Sequence, residues 1–469
     1  MRRLSARDAS FLNSETVHAN SNISFVQIYD QATAPGGMVR FKTILAHIES
    51  RLHRSAVFRS KLQRVPLELG HPGWIEDEHF DLEYHVRHIA LPKPGDWRQF
   101  CIQASRIHAR ALDLSRPLWE IYVIEGLDSF TDLPVGSFAL LTKVHRAAID
   151  PTQHNELLEV LHDTTPHAPA PAPPEPWFPQ RAPAPWSQAL RGAATTVMSP
   201  RRLAAPLLRA LPAVVAFAGD LLKSHDAAGA TRFNSVVSPH RVFDTRRFSL
   251  DEFMAIAGLV PGATLQDAVV AVCAGGMRRY LTLHGELPAS DLTGQVQVGQ
   301  DSVALRLGTD TDDPVRRLAA LHQQPPSALK SAAPSACTFT MVTGPKEPWF
   351  LAGARLSYLS ALLPICDGHG LVFAVTVYDG RVVISPTSCR ELMPDPQAFT
   401  QCMRDSFQEM LALAGNPARP LAAGKPVRPP RPRASSSDRR SPGRRLARKA
   451  ATPPQVAPAA RPRSTTPRR

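Results

Sequence analysis

The sequence has no long apolar run and no clustered cysteines or histidines, and each absence excludes a class of protein. No stretch approaches the ~18–20 apolar residues of a membrane-spanning helix. The nearest, residues 204–222, is broken by Arg209, Pro212 and Asp220, so any membrane contact is expected to be peripheral. The six cysteines (Cys101, Cys273, Cys337, Cys366, Cys389 and Cys402) include no CxxC pair, and no Cys/His group has zinc spacing. No metal is expected, and widely spaced thiols in so long a chain predict a reduced, cytoplasmic protein. The N-terminus carries Arg2 and Arg3 but no apolar stretch behind them, which does not read as a secretory signal. No internal repeat is apparent.

Acidic residues are scarce in one place only. Residues 416–469 hold thirteen Arg and two Lys against a single acid, Asp438, a balance of +14; the formal net charge of the whole chain is +13, so residues 1–415 carry −1. The basic character belongs to a tail. That tail, rich in Pro, Arg, Ala and Ser, cannot bury enough apolar surface to offset its ordering entropy and is expected to be disordered. It admits attraction to anionic lipid, nonspecific affinity for nucleic acid, or no role at all; of the two partners lipid is favoured, and nucleic acid is not expected.

The prolines mark a second boundary. Nine of the twenty residues 166–185 are proline, which fixes φ and removes backbone donors, so this stretch is expected to stay extended as a linker. The resulting organisation is an N-terminal half over 1–163, a linker over 164–186, a C-terminal half over 187–415 and a tail over 416–469. Apolar spacing predicts helices over 41–58, 100–112, 189–224, 250–259, 265–283 and 394–414. Strands are expected over 85–91, 118–124, 138–144, 240–248, 371–377 and 381–385. Tyr378-Asp379-Gly380 between the last two is a hairpin signal, because Asp-Gly accepts the positive φ of a tight turn.

Eight short stretches follow one another along the chain in an order that points to a family. They are the N-terminal LSARDASFL, Phe80-Asp81-Leu82 followed by Tyr84-His85-Val86-Arg87-His88, and Ser115–Glu120 (SRPLWE). Lys143-Val144-His145, Ser238-Pro239-His240-Arg241 and the helix-like segment 263–281 follow. Thr343-Gly344-Pro345 with Leu351–Arg355, and Tyr378-Asp379-Gly380, complete the set. In this order the chain resembles the bacterial wax ester synthase/diacylglycerol acyltransferase family.

The resemblance implies an α/β, two-lobed CoA-dependent acyltransferase fold. It would be like chloramphenicol acetyltransferase and the condensation domains, with mixed sheets and a channel between the halves. It also implies acyl-CoA-dependent O-acyl transfer to diacylglycerol or a fatty alcohol, making triacylglycerol or wax ester, with acyl-CoA as co-substrate and no bound cofactor. The location implied is cytoplasmic, peripheral at the inner membrane or lipid bodies.

Taking a proton from an alcohol at neutral pH suits an imidazole, whose pKa lies near the working pH. In the family motif HHxxxDG the second histidine is that base, and the aspartate holds the loop. Here the motif reads His145-Arg146-Ala147-Ala148-Ile149-Asp150-Pro151. Arg146 occupies the position of the catalytic histidine, and a guanidinium does not give up its proton in proteins. Pro151 replaces the final glycine, and Gln266 stands where the family has asparagine, beside the retained Asp267. Pro117, Leu118, Trp119 and Glu120 of the PLWE motif, with Gln266 and Asp267, are assigned structural or channel-lining positions by the same resemblance.

The residues also admit plainer readings: His145 and Asp150 as structural groups, Trp119 as core, Asp267 as a helix cap. A catalytically silent acyl-CoA-binding or lipid-binding paralogue, or a partner protein of the same fold, is the alternative to an active transferase.

Overall fold

The structure, a computed structural model, describes residues 2–64, 71–130, 132–149, 156–168, 177–179, 230–298, 301–324, 335–342 and 344–415. Asp150, Pro151, the helices expected over 189–224, most of the proline-rich segment and the tail 416–469 lie outside the described residues.

Two mixed sheets carry the fold. The first runs in the order β13 (Phe350–Leu351), β14 (Ala354–Leu362), β2 (Asn22–Asp30), β7 (Phe138–His145), β6 (Trp119–Glu125), β5 (Val86–Ala90). Its pairs are antiparallel except β5 with β6. The second orders β11 (Asp301–Arg306), β10 (Thr293–Val298), β12 (Ser335–Val342), β15 (Val372–Tyr378), β16 (Arg381–Cys389) and β8 (Arg241–Phe243), with β9 (Arg246–Ser249) also on β16. Here β10–β12 and β12–β15 are parallel. A small sheet joins β1 (Arg2–Arg3), β4 (Gly73–Glu76) and β3 (Ser60–Gln63).

Among the described residues the α-helices are α1 (Ala6–Asn13), α2 (Phe41–Glu49), α3 (Leu82–His85), α4 (Trp97–Ala109), α5 (Glu156–Leu161), α6 (Leu250–Ala257), α7 (Leu265–Leu283), α8 (Pro314–His322) and α9 (Pro396–Leu413). The helix expected over 41–58 ends at Glu49 and continues as two 3₁₀ turns, Leu52–Arg54 and Ala56–Phe58. The strand expected over 240–248 divides into β8 and β9 around Asp244 and Thr245. Helix α7 matches its expected span, closed at its start by a reciprocal cap between Thr264 and Asp267.

The segment 164–186 divides the chain but not its sheets. Strands β13 and β14, from the C-terminal half, complete the first sheet, β14 pairing with β2 from Arg355↔Asp30 to Leu362↔Ser24. The described residues up to Gly415 accordingly form one compact unit. The turn before β14 places Ala352 at φ 50 and Gly353 at φ 86, while the β15–β16 turn places Asp379 at φ 49 and Gly380 at φ 68. Arg355 pairs with Asp379 at 3.2 Å, tying one turn to the other.

Strands β2 and β7 lie at the centre of the first sheet, covered on both faces. All eight residues of β7 (FALLTKVH) are buried, and so are Asn22–Tyr29 of β2. Buried polar side chains in them need partners. Thr142 donates to Gln27 at 3.0 Å, Ser24 bonds His108 at 2.9 Å, and Lys143 reaches Glu120 at 3.5 Å. Strand β7 is therefore rigid where it delivers the chain to His145.

Candidate active site

His145, the last residue of β7, is buried and fully engaged. Its backbone N–H donates to the Leu118 carbonyl at 3.0 Å, and Nδ1 accepts from the Ala147 N–H at 3.0 Å. A nitrogen that accepts carries no proton, so Nε2 holds it and donates to Glu15 Oε1 at 3.0 Å. Burial opposes charge on Glu15, but hydrogen bonds from His145 and from the Ser21 N–H (2.7 Å) prevail and lower its pKa. His145 thus ties the segment after α1 to the end of β7, and neither ring nitrogen is left to accept a substrate proton.

Arg146 points the other way. Its backbone N–H donates to Ser21 O at 2.9 Å, extending the β2–β7 ladder by one step. The half-buried guanidinium lies 4.4 Å from the Phe11 ring centroid, and Nη2 donates to Gln297 Oε1 at 3.4 Å. Phe11 belongs to α1 and Gln297 to β10, so Arg146 spans from the first sheet to the second. Its charge also reaches Cys366, where burial and Asp367 raise the thiol pKa against Arg146 and Arg241.

The turn carrying Cys366 and Asp367 adds a further polar group. Asp367 Oδ1 accepts from the Val237 N–H at 2.8 Å, and Oδ2 lies 3.6 Å from His18 Nε2. The buried Arg241 donates to the His18 carbonyl at 2.8 Å. Glu15, Phe11, Gln297, His18, Asp367 and Arg241 escaped the sequence reading. For Arg241 and Phe11 a signal existed, since they lie in the SPHR and LSARDASFL stretches; the others lie in loops and in a strand with no local pattern.

The PLWE residues fix the strand beneath the motif. Leu118 accepts the His145 N–H, and Trp119 is fully buried, its indole N–H donating to Phe58 O at 3.0 Å while the His85 ring stacks at 4.5 Å. The Pro117 carbonyl takes the Trp119 N–H at 2.9 Å. Glu120 accepts from Tyr122 at 3.0 Å and pairs with Lys143 and with Arg87 at 3.6 Å. Burial pulls the fully enclosed Lys143 ammonium down to about 8, with Glu120 opposing the shift. Asp267, besides capping α7, pairs with His322 of α8 at 3.1 Å, and Gln266 is exposed beside it. No hydrogen bond or ion pair joins Gln266 or Asp267 to Arg146 among the described residues. No group of three or more His, Cys, Asp or Glu among them could hold a metal, and no described helix is long and apolar enough to cross a membrane.

Comparison with known proteins decides the lineage. The wax ester synthase/diacylglycerol acyltransferase catalytic domain matches residues 4–269, and the C-terminal domain of the same family matches residues 326–411. This chain belongs to that family. A Mycobacterium tuberculosis protein named for diacylglycerol O-acyltransferase is 27% identical over 463 residues, covering 88% of this chain and 90% of the relative. The O-acyltransferase WSD of Acinetobacter baylyi is 27% identical, covering 71% of this chain and 82% of its own. Among solved structures, the family member from Marinobacter aquaeolei VT8 superposes with a TM-score of 0.66 at 25% identity, covering 88% of this chain and all of its own. The first condensation domain of the CDA synthetase shares the fold, with a TM-score of 0.50 at 14% identity, covering 89% of this chain and 97% of its own. The family and the acyltransferase fold expected from the sequence are therefore both established.

Proposed function

We propose that the chain transfers a long acyl group from acyl-CoA to the hydroxyl of diacylglycerol or a fatty alcohol. The family match supports this reading, and one observation carries it to a site: residue 146, the family's motif position, lies between the first sheet and β10 of the second. The hydroxyl oxygen would attack the thioester carbon, and collapse of the tetrahedral intermediate would expel the CoA thiolate. The hydroxyl proton is left for the departing thiolate or solvent.

Arg146 cannot collect that proton, but a guanidinium can stabilise negative charge developing on the carbonyl oxygen. Holding both substrates in place retains the benefit of proximity. Absence of a general base removes roughly 10²–10⁴-fold in rate, so the native chain is proposed to be a slow transferase. The test is release of CoA thiol by purified protein given acyl-CoA with diacylglycerol or hexadecanol. Turnover no higher than that of heat-treated protein would sink the proposal.

The same arginine favours a second reading, a catalytically silent acyl-CoA-binding relative. If only the Arg146→His variant turns over, the second reading holds. We further propose a cytoplasmic protein whose basic tail (416–469) attracts it to anionic inner-membrane or lipid-body surfaces. Co-sedimentation with anionic vesicles should disappear when that tail is deleted, and unchanged binding removes the idea.

A further inference from the structure

A cleft of about 590 Å³ opens at the end of β2 and β7 remote from Arg146. Four guanidinium groups line it: Arg246 and Arg247 of β9, Arg381 at the start of β16, and Arg404 of α9. Two carboxylates, Asp132 and Glu252, face them. Arg246 is anchored by the buried Asp244 at 3.3 Å, and Arg247 donates to the Asp132 carbonyl at 2.6 Å. Arg381 and Arg404 are exposed and make no ion pair among the described residues. Four guanidinium groups against two facing carboxylates leave the concave surface net positive, and guanidinium groups match phosphate geometry. One wall is aromatic, with Trp97 and Phe130 packed edge to face at 5.3 Å. The Trp97 indole N–H is held by Asp244 at 2.8 Å, which fixes the ring in place. Phosphate-binding donors beside an aromatic wall suit a heteroaromatic nucleotide better than a lipid headgroup.

The position in the sheet fits one such nucleotide. Asn22 pairs with His145 at the motif end of β2, and Ile28 pairs with the cleft residue Tyr358. Six residues of strand separate these pairs, about 20 Å at the usual rise. An extended pantetheine arm spans a distance of that order between the CoA thiol and its diphosphate. We propose that this cleft seats the phosphorylated adenosine end of the acyl-CoA donor, a reading that rests on the acyl-CoA-dependent activity proposed above. Arg381 and Arg404 take phosphate groups, while Trp97 and Phe130 receive the purine.

Calorimetric titration of the full chain with CoA, dephospho-CoA, inorganic phosphate and phosphatidylglycerol vesicles tests this without requiring turnover. The Arg381→Glu/Arg404→Glu double variant is expected to bind CoA at least ten-fold more weakly, with dephospho-CoA several-fold weaker than CoA on the native protein. The single variants Arg381→Gln and Arg404→Gln, with melting temperatures checked, should each weaken CoA several-fold. Arg316→Glu, a similar change at an exposed arginine of α8, should not. Equal CoA affinity in native and double variant overturns the proposal, as does a native chain that binds no CoA. If the double variant loses vesicles or inorganic phosphate but keeps CoA, the cleft is a headgroup or free-phosphate site and the proposal falls. Arginine-dependent CoA binding without turnover would leave the cleft standing and remove the transferase; turnover with arginine-independent CoA binding would do the reverse.

Discussion

Replacing Arg146 by histidine isolates the missing proton acceptor. Among the contacts of Arg146, the substitution removes a cation–π contact with Phe11 at 4.4 Å and a long hydrogen bond to Gln297 at 3.4 Å. At a half-buried site the first is worth about 0.5–1 kcal/mol and the second no more than about 1 kcal/mol. Against a typical stability of ~5–15 kcal/mol the variant stays folded. The gain is larger than the loss: a positioned base contributes about 10²–10⁴-fold, equivalent to about 3–5 kcal/mol of barrier. The assay is CoA thiol release at saturating acyl-CoA and hexadecanol, with melting temperature as the check on folding.

The expected result is a kcat at least about 100-fold above native, a KM for acyl-CoA changed little, and a new pH dependence with a rising limb near an imidazole's pKa of about 6.5. Arg146→Gln separates the two effects, since it removes the charge without adding a base. It should fall below native if the guanidinium stabilises the oxyanion. A folded Arg146→His variant with kcat within about three-fold of native, far short of a base's contribution, would refute the reasoning and move the reacting atoms away from residue 146.

Other perturbations probe the scaffold. His145→Gln should lower stability by about 2 kcal/mol, the cost of unpairing buried groups, in a denaturant titration, and leave kcat of the Arg146→His background nearly unchanged. Asp244 accepts from Trp97, Thr400 and the Thr245 N–H at 2.6–2.8 Å and joins α4 to α9; Asp244→Ala should cost about 3 kcal/mol or more, measured the same way. Ala352→Gly should raise the melting temperature, because a left-handed conformation costs a non-glycine residue about 1–2 kcal/mol. Burial holds His47, His108 and His162 down at about 4, 3 and 3, against about 6.5 unfolded. The unfolded chain therefore binds more protons below pH 6.5, and stability is lost as pH falls from there towards about 3. The slope approaches about 4 kcal/mol per pH unit for three such groups; a circular-dichroism acid titration showing a flat fold down to pH 4 would contradict it.

How much of this was legible depends on which force shaped each segment. Helix α7 and the β15–β16 hairpin were readable because local rules suffice there: a long apolar run rich in Ala and Val with a cap, and an Asp-Gly turn with both residues at positive φ. Strand β2 was missed because it is buried on both faces, so its sequence NISFVQIYD shows no alternation and carries the polar Ser24 and Gln27 inside. Those polar groups are tolerable only because His108 and Thr142 arrive from distant segments, which no local window contains. The crossover of β14 into the first sheet is likewise non-local, and reading the proline-rich stretch as a boundary made it harder to expect.

The site follows the same division between local and distant causes. Motif order located residue 146, and chemistry alone showed that arginine fails as a base there. What surrounds it, Phe11 from α1 and Gln297 from the second sheet, is set by packing between elements 135 and 151 residues away in sequence. His145 shows why position within a motif does not assign a role. It keeps the family's first histidine, yet the Ala147 N–H occupies one ring nitrogen and Glu15 the other. Any restoration of base catalysis therefore has to come from residue 146 itself or from a group that the backbone has not already claimed. The Lys143 ammonium, with a pKa drawn towards neutrality, fails that condition: it is sealed beneath the sheet against Glu120 and has no exposed surface from which to meet a substrate.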